Sequence, residues 1–93
     1  MNAKVEQFVS KRSGRAVPNQ FILSIDKDVY FQSYETLIVK KCGNGDVVLD
    51  KNNWDYSATT ARYRNEFLGK TTAQIKTRIK SGEYKMANLN KQG

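Results

Sequence analysis

The chain has 93 residues, 39% of them hydrophobic and 27% charged, with a formal net charge of +7, which provides for one domain, 1–93, and one modest core. The apolar runs Phe21–Ile25 and Thr36–Val39 are far shorter than the ~20 residues of a membrane-spanning helix, and Met1–Arg12 mixes charged with apolar residues, unlike a secretory leader. Cys42 is the one cysteine and histidine is absent, so an internal disulfide, the usual zinc sites and Ser-His-Asp or Cys-His catalysis are excluded.

Val5, Phe8 and Val9 stand at i, i+3 and i+4, the spacing of a short helix, although an irregular lead-in accommodates them equally. Ser13 and Gly14 end that segment, Lys11, Arg12 and Arg15 form a basic loop, and Pro18 holds the way into the next element. Residues 1–18 are thus expected as a basic arm, free to be flexible. Phe21, Leu23 and Ile25 alternate as a strand does, and Asp26–Asp28 turns the chain. Val29–Cys42 is rich in Val, Ile, Tyr, Phe and Thr; it predicts one long strand, or two, with a bulge at Ser33–Glu35. Gly43-Asn44-Gly45-Asp46 follows, and Asn-Gly suits both centres of a type I′ hairpin turn. Val47–Leu49 returns, ending at Asp50, with Lys51–Asn53 as a polar loop.

Ser57 is placed to cap a helix from Ala58 to Leu68 that Gly69 stops. On its wheel Thr60, Ala61, Tyr63, Phe67 and Leu68 share the arc expected to face the sheet, with Arg64 in the middle of it. Thr71, three residues before Gln74, forms a capping-box pattern for a second helix to about Lys80, with Gly82 as its stop. Ile75 and Ile79 are its buried pair, and Lys76 and Lys80 lie one turn apart beside them. Tyr84, Met86 and Leu89 suit a last short strand or a packed tail. The expected architecture is α+β, a small antiparallel sheet of three to four strands with a central Asn-Gly hairpin, covered on one face by two C-terminal helices.

Motifs for chemistry are weak. Gly69-Lys70-Thr71 resembles the end of a phosphate loop, but Arg64 occupies the place of its first glycine. Gly43 and Gly45 are followed by a strand rather than a helix, so they mark a turn. Asp46, Asp50 and Asp55 lack the spacing of a calcium loop and are expected to be solvated. No cofactor and no enzymatic activity are expected.

Charge is more informative. Lys4, Lys11, Arg12 and Arg15 stand against Glu6 alone in residues 1–15, and residues 55–93 hold eight basic groups against Asp55, Glu66 and Glu83, while 16–54 is nearly neutral. One face gathering both ends would bind an anion. The tract Trp54–Arg64 concentrates aromatic, hydroxyl and cationic groups; Ser57, Thr59 and Thr60 at a helix N-terminus, with Arg62, suit a phosphate. The plainer reading has Trp54 and Tyr56 packing the helix start and Arg64 laid over the core, paired with an acid such as Glu35. Tyr30, Gln32 and Tyr34 would share one face of an undistorted strand, as base-stacking sheets require. A helix-turn-helix with Thr71–Lys80 as reader is poorly matched in its turn.

The segments Tyr30-Phe31-Gln32-Ser33-Tyr34-Glu35-Thr36-Leu37-Ile38, Trp54–Arg64, Phe67-Leu68-Gly69 and Ser81-Gly82-Glu83-Tyr84 resemble a family of short, uncharacterised proteins encoded by bacteriophages. The resemblance implies a phage accessory product acting in the cytoplasm of a bacterial host, with no assigned activity. Small proteins of that kind bind nucleic acid or block a host machine, as anti-CRISPR proteins do. The expectation is therefore a non-enzymatic protein that contacts a nucleic-acid backbone through Arg62, Lys70, Lys76, Arg78 and Lys80, helped by Lys11, Arg12 and Arg15. The alternative partner is a host nucleic-acid-binding protein complex, inhibited through the same cationic face.

Overall fold

A computed structural model of the chain describes residues 3–90. The order is β1 (Ala3–Val9), β2 (Ala16–Ile25), β3 (Asp28–Ser33), β4 (Thr36–Lys41), β5 (Val47–Asp50), α1 (Ala58–Leu68), α2 (Thr72–Ser81) and β6 (Tyr84–Ala87). All six strands form one sheet in sequence order. Neighbours are antiparallel except β5 and β6, which run parallel. The α+β class is as expected, but the sheet has six strands rather than three to four.

The two extra strands are at the edges. Val5 and Val9, whose spacing with Phe8 suits a helix, are instead 67% and 55% exposed on β1. Only Phe8 points into the core, at a register shift between Gln7 and Val9. β-Branched residues on a strand that β2 can pair with override a helical spacing that buries one side chain. Residues 3–18, expected as an arm, are thus β1, its loop and the start of β2. Pro18 lies inside β2, among the extra residues that the register shift leaves without a β1 partner between Ala16 and Phe21, where its missing N–H costs no ladder bond. β6 joins only through the long connection carrying both helices, as a parallel partner requires.

The break expected at Ser33–Glu35 is a full reversal: Ser33 pairs with Thr36 across Tyr34–Glu35. The bulge is at Ile38 instead, and by kinking β4 it buries the consecutive Ile38 and Val39. The Asn-Gly hairpin joins β4 to β5 as expected, but its turn is not type I′. Gly45 donates to the Cys42 carbonyl at 2.9 Å, and only Gly45 has positive φ, +98°. That is a three-residue loop closed by a glycine bulge, fixed by the side-chain Oδ1 of Asn44, which accepts from the Asp46 amide at 3.0 Å.

Register places Ile22, Phe31, Val39 and Leu49 on the face that the helices cover. Phe8, Phe31, Ile38, Val39, Leu49, Leu68, Ile75 and Tyr84 are the core, with Tyr63 and Phe67 packed against it. Phe8 meets Phe31 and Tyr63 edge-on at 5.5 and 5.7 Å, and Phe67 stacks on Phe31 at 5.8 Å. Both helix boundaries follow the sequence: Ser57 caps α1 by accepting from Thr60, Gly69 ends it in the left-handed region, and Thr71 and Gln74 form a reciprocal capping box. None of the described helices is long and apolar enough to cross a membrane.

Candidate nucleic-acid interface

Two arginines of α1 define what is structural and what is free. Arg64 is fully buried, and its guanidinium donates to the Trp54 carbonyl at 2.6 Å, Asp55 at 3.0 Å, Asn65 Oδ1 and Thr72 Oγ1. Every N–H is used, and the plane lies 5.1 Å from the Trp54 ring. The acid is Asp55, not Glu35. Arg64 thereby ties the 51–57 loop, α1 and the start of α2 together, and it has no donor left for a ligand. Asp50, expected as a solvated loop acid, is likewise buried; it accepts from the amides of Asn52, Asn53 and Leu89 and from the Asn53 side chain.

Arg62 points the other way. It is exposed, with its guanidinium 5.5 Å from the Tyr63 ring, and it lines an open cleft of about 490 Å³ with Arg12, Asn65, Glu66, Gly69, Lys70, Thr71 and Gln74. Three elements build this cleft. The β1–β2 loop brings Arg12, α1 brings Arg62 and Glu66, and the Gly69–Thr71 junction brings Lys70 beside the first turn of α2.

Glu66 holds the loop in place. Both its carboxylate oxygens accept from the Ser10 hydroxyl, at 3.1 and 3.2 Å, and Oε1 accepts from the Lys11 amide at 2.9 Å. The one acid of the cleft is therefore occupied by backbone and hydroxyl donors. Lys11, Arg12, Arg62 and Lys70 make no ion pair with any described residue. Lys41 on β4 belongs to the same group. Its ammonium donates to the Phe67 carbonyl at 2.7 Å and sits 4.4 Å over the Phe67 ring. Burial, and after it the charges of Lys11 and Lys70, pull its pKa below the usual lysine value. A lysine held down in this way is relieved when an anion comes beside it.

The other expected residues are elsewhere. Lys76 and Lys80 are exposed on α2 and do not line the cleft, and Arg78 is engaged by Glu83 at 3.1 Å. Arg15 is exposed at the end of the basic loop. The N-terminus of α1 is not part of the cleft: the Ser57 hydroxyl is used as cap, and Thr60 is buried with its hydroxyl 3.0 Å from that of Ser33. Thr59 alone of the three remains exposed there. Sequence reading passed over Lys41 because it belongs to a strand whose alternation the bulge at Ile38 displaces, and over Glu66 because nothing local marks it as the anchor of a loop 55 residues away.

Taken together these features define a small α+β protein, a six-stranded sheet under two helices, that carries a cationic cleft where its basic N-terminal loop meets the helix junction. Residues 3–83 match the model of a family of unknown function, DUF8033, and the chain belongs to that family. Neither the curated proteins nor the solved structures contain a match to it.

Proposed function

We propose that the protein is a non-enzymatic nucleic-acid-binding protein that grips the phosphate backbone in the cleft lined by Arg12, Arg62 and Lys70, flanked by Lys11 and Lys41. The observation that carries this reading is the convergence of cations from distant parts of the chain on one open cleft whose acid is already occupied. A phosphate has the charge to relieve that crowding, and the arginine forks match its oxygens bidentately. Contacts of this kind supply affinity and position without reading sequence. Lys76 and Lys80 extend the positive field along α2 and favour a polymeric anion over a single small one. The resemblance to phage-encoded proteins supports a setting in the cytoplasm of an infected bacterium, as an accessory gene product.

The test is a fluorescence-anisotropy titration of labelled duplex DNA, single-stranded DNA and RNA across several salt concentrations, with wild type and an Arg12/Arg62/Lys70→Ala variant. Affinity of the wild type is expected to fall log-linearly with salt, and the variant to show a slope shallower by roughly 0.9 for each phosphate it no longer neutralises on duplex DNA. Absence of binding at low salt would overturn the reading and move the target to an acidic host protein.

A further inference from the structure

On the sheet face turned away from the helices a second cavity, of about 660 Å³, is lined by Asn19, Phe21, Gln32, Tyr34, Glu35 and Thr36. Its chemistry differs from that of the cationic cleft. It has two aromatic rings, two side-chain amides, a hydroxyl and a carboxylate, and no cation. A phosphate would be repelled by Glu35; an uncharged planar group with N–H donors at its edge would not.

The position of Tyr34 is unusual. Tyr34 and Glu35 are the two central residues of the β3–β4 turn, and Tyr34 has φ +56°. Glycine is the ordinary occupant of a positive-φ position in a two-residue hairpin, and a bulky side chain there is strained. The strain is held from both sides. The Tyr34 amide donates to the Asn19 carbonyl at 2.6 Å, Asn19 itself having φ +66°, and the Gln32 side chain donates to the Tyr34 carbonyl at 2.7 Å. The ring so placed does not help the core. It is 54% exposed and makes no ring contact with a described residue. Phe21, paired with Gln32 across β2 and β3, forms the floor beside it.

The groove is linked to the basic loop along the chain. Asn19 follows Arg15 by four residues, and Arg15 follows Arg12 of the cleft by three.

We infer that this groove takes an unpaired nucleobase of a bound single strand, stacked on Tyr34 and Phe21, with its N–H edge toward Glu35 and the Gln32 and Asn19 amides. The inference rests on the nucleic-acid reading above and adds to it a preference for single strands. Tyr34→Gly is the decisive variant, because it removes the ring while supplying the residue that the backbone prefers. Its Tm is expected to equal or exceed that of wild type.

Anisotropy titrations would use labelled oligodeoxyadenylate and an abasic strand of equal length, which carry the same charge. Wild type is expected to favour the base-bearing strand by about tenfold, the scale of one base stacked on an aromatic ring. Tyr34→Gly should bind both strands alike, at the affinity wild type has for the abasic one. If Tyr34→Gly keeps the full preference, or if its Tm falls, the groove assignment is overturned and the cleft reading stands. If wild type binds neither strand nor duplex, both are overturned.

Discussion

Arg64 and Arg62 stand two residues apart on α1, yet the first is fully buried with every donor used and the second is exposed beside other unpaired cations. Around Arg64, charge is compensated: Asp55, two carbonyl-type oxygens and a hydroxyl fill one fork. Around Arg62, cations outnumber acids, and Glu66, the one acid lining the cleft, is turned toward Ser10 and the Lys11 amide and forms an ion pair with none of them. The difference shows how one residue type serves cohesion in one place and availability in the other, according to whether acceptors are built in beside it.

The largest effect expected from breaking this comparison is that of Arg64→Ala. Removing it empties a fully buried site and leaves the Trp54 carbonyl, Asn65 Oδ1 and Thr72 Oγ1 without their donor, while Asp55 stays open to solvent; the loss is about 3 kcal/mol or more, or a fall in Tm of at least roughly 12 °C for a domain of this size. Arg62→Ala should stay within about 0.5 kcal/mol of wild type. Thermal melts of the two variants, side by side, check both statements, and equal shifts would erase the distinction.

Next in size is Asp50→Ala, which belongs with Arg64 on the cohesive side. Four N–H groups from the 52–53 turn and from Leu89 lose their acceptor, for about 2 kcal/mol in urea denaturation. Asp50→Asn, which keeps an oxygen in place, should lose clearly less.

Glu66→Ala is expected to cost about 1 kcal/mol, because the loop bonds it breaks are only part-buried. Its signature is local: the Lys11 amide should lose hydrogen-exchange protection while amides of Phe31 and Val39 keep theirs. Protection at Lys11 left unchanged would mean that the loop is held by something other than Glu66.

Local chemistry was legible in the sequence where it acts over a few residues. Ser57, Gly69, the Thr71–Gln74 pair and Gly82 mark both helices correctly because caps are short-range devices. The hairpin at Gly43–Asp46 was legible in place but not in turn type, since Asn44 puts its side chain into an Asx bond with Asp46 and keeps negative φ. β1 was not legible, because an edge strand that buries only Phe8 lacks the alternation by which strands are read. The parallel β5–β6 pair was beyond local reading for the same reason that it needs a long crossover. In the cleft, Arg12, Arg62 and Lys70 were foreseeable as cations; their meeting depends on Glu66 holding the β1–β2 loop from 55 residues away, which only the tertiary structure supplies.

The smallest effect, that of Lys41, tests whether the crowding in the cleft is electrostatic. Burial first, then Lys11 and Lys70, lower its pKa from 10.5. In the pH window just below 10.5 the unfolded chain therefore binds more protons at this position than the folded one, and stability contributed through Lys41 rises with pH there. Tyr84, raised above 10.0 chiefly by burial, and Lys40, raised above 10.5 chiefly by Tyr30, act in the opposite sense at and above those values. The difference between wild type and Lys41→Gln isolates the lysine, and it should shift in favour of wild type as pH climbs toward 10.5. An anion in the cleft offsets the part of the depression that Lys11 and Lys70 cause, so by linkage its binding takes up a proton in that same window. Affinity for a polyanion should then decline with rising pH in the wild type more than in Lys41→Gln. Calorimetry in two buffers of different ionisation enthalpy reads the proton directly, and equal heats in both would separate Lys41 from the binding cations and leave it a structural donor to Phe67.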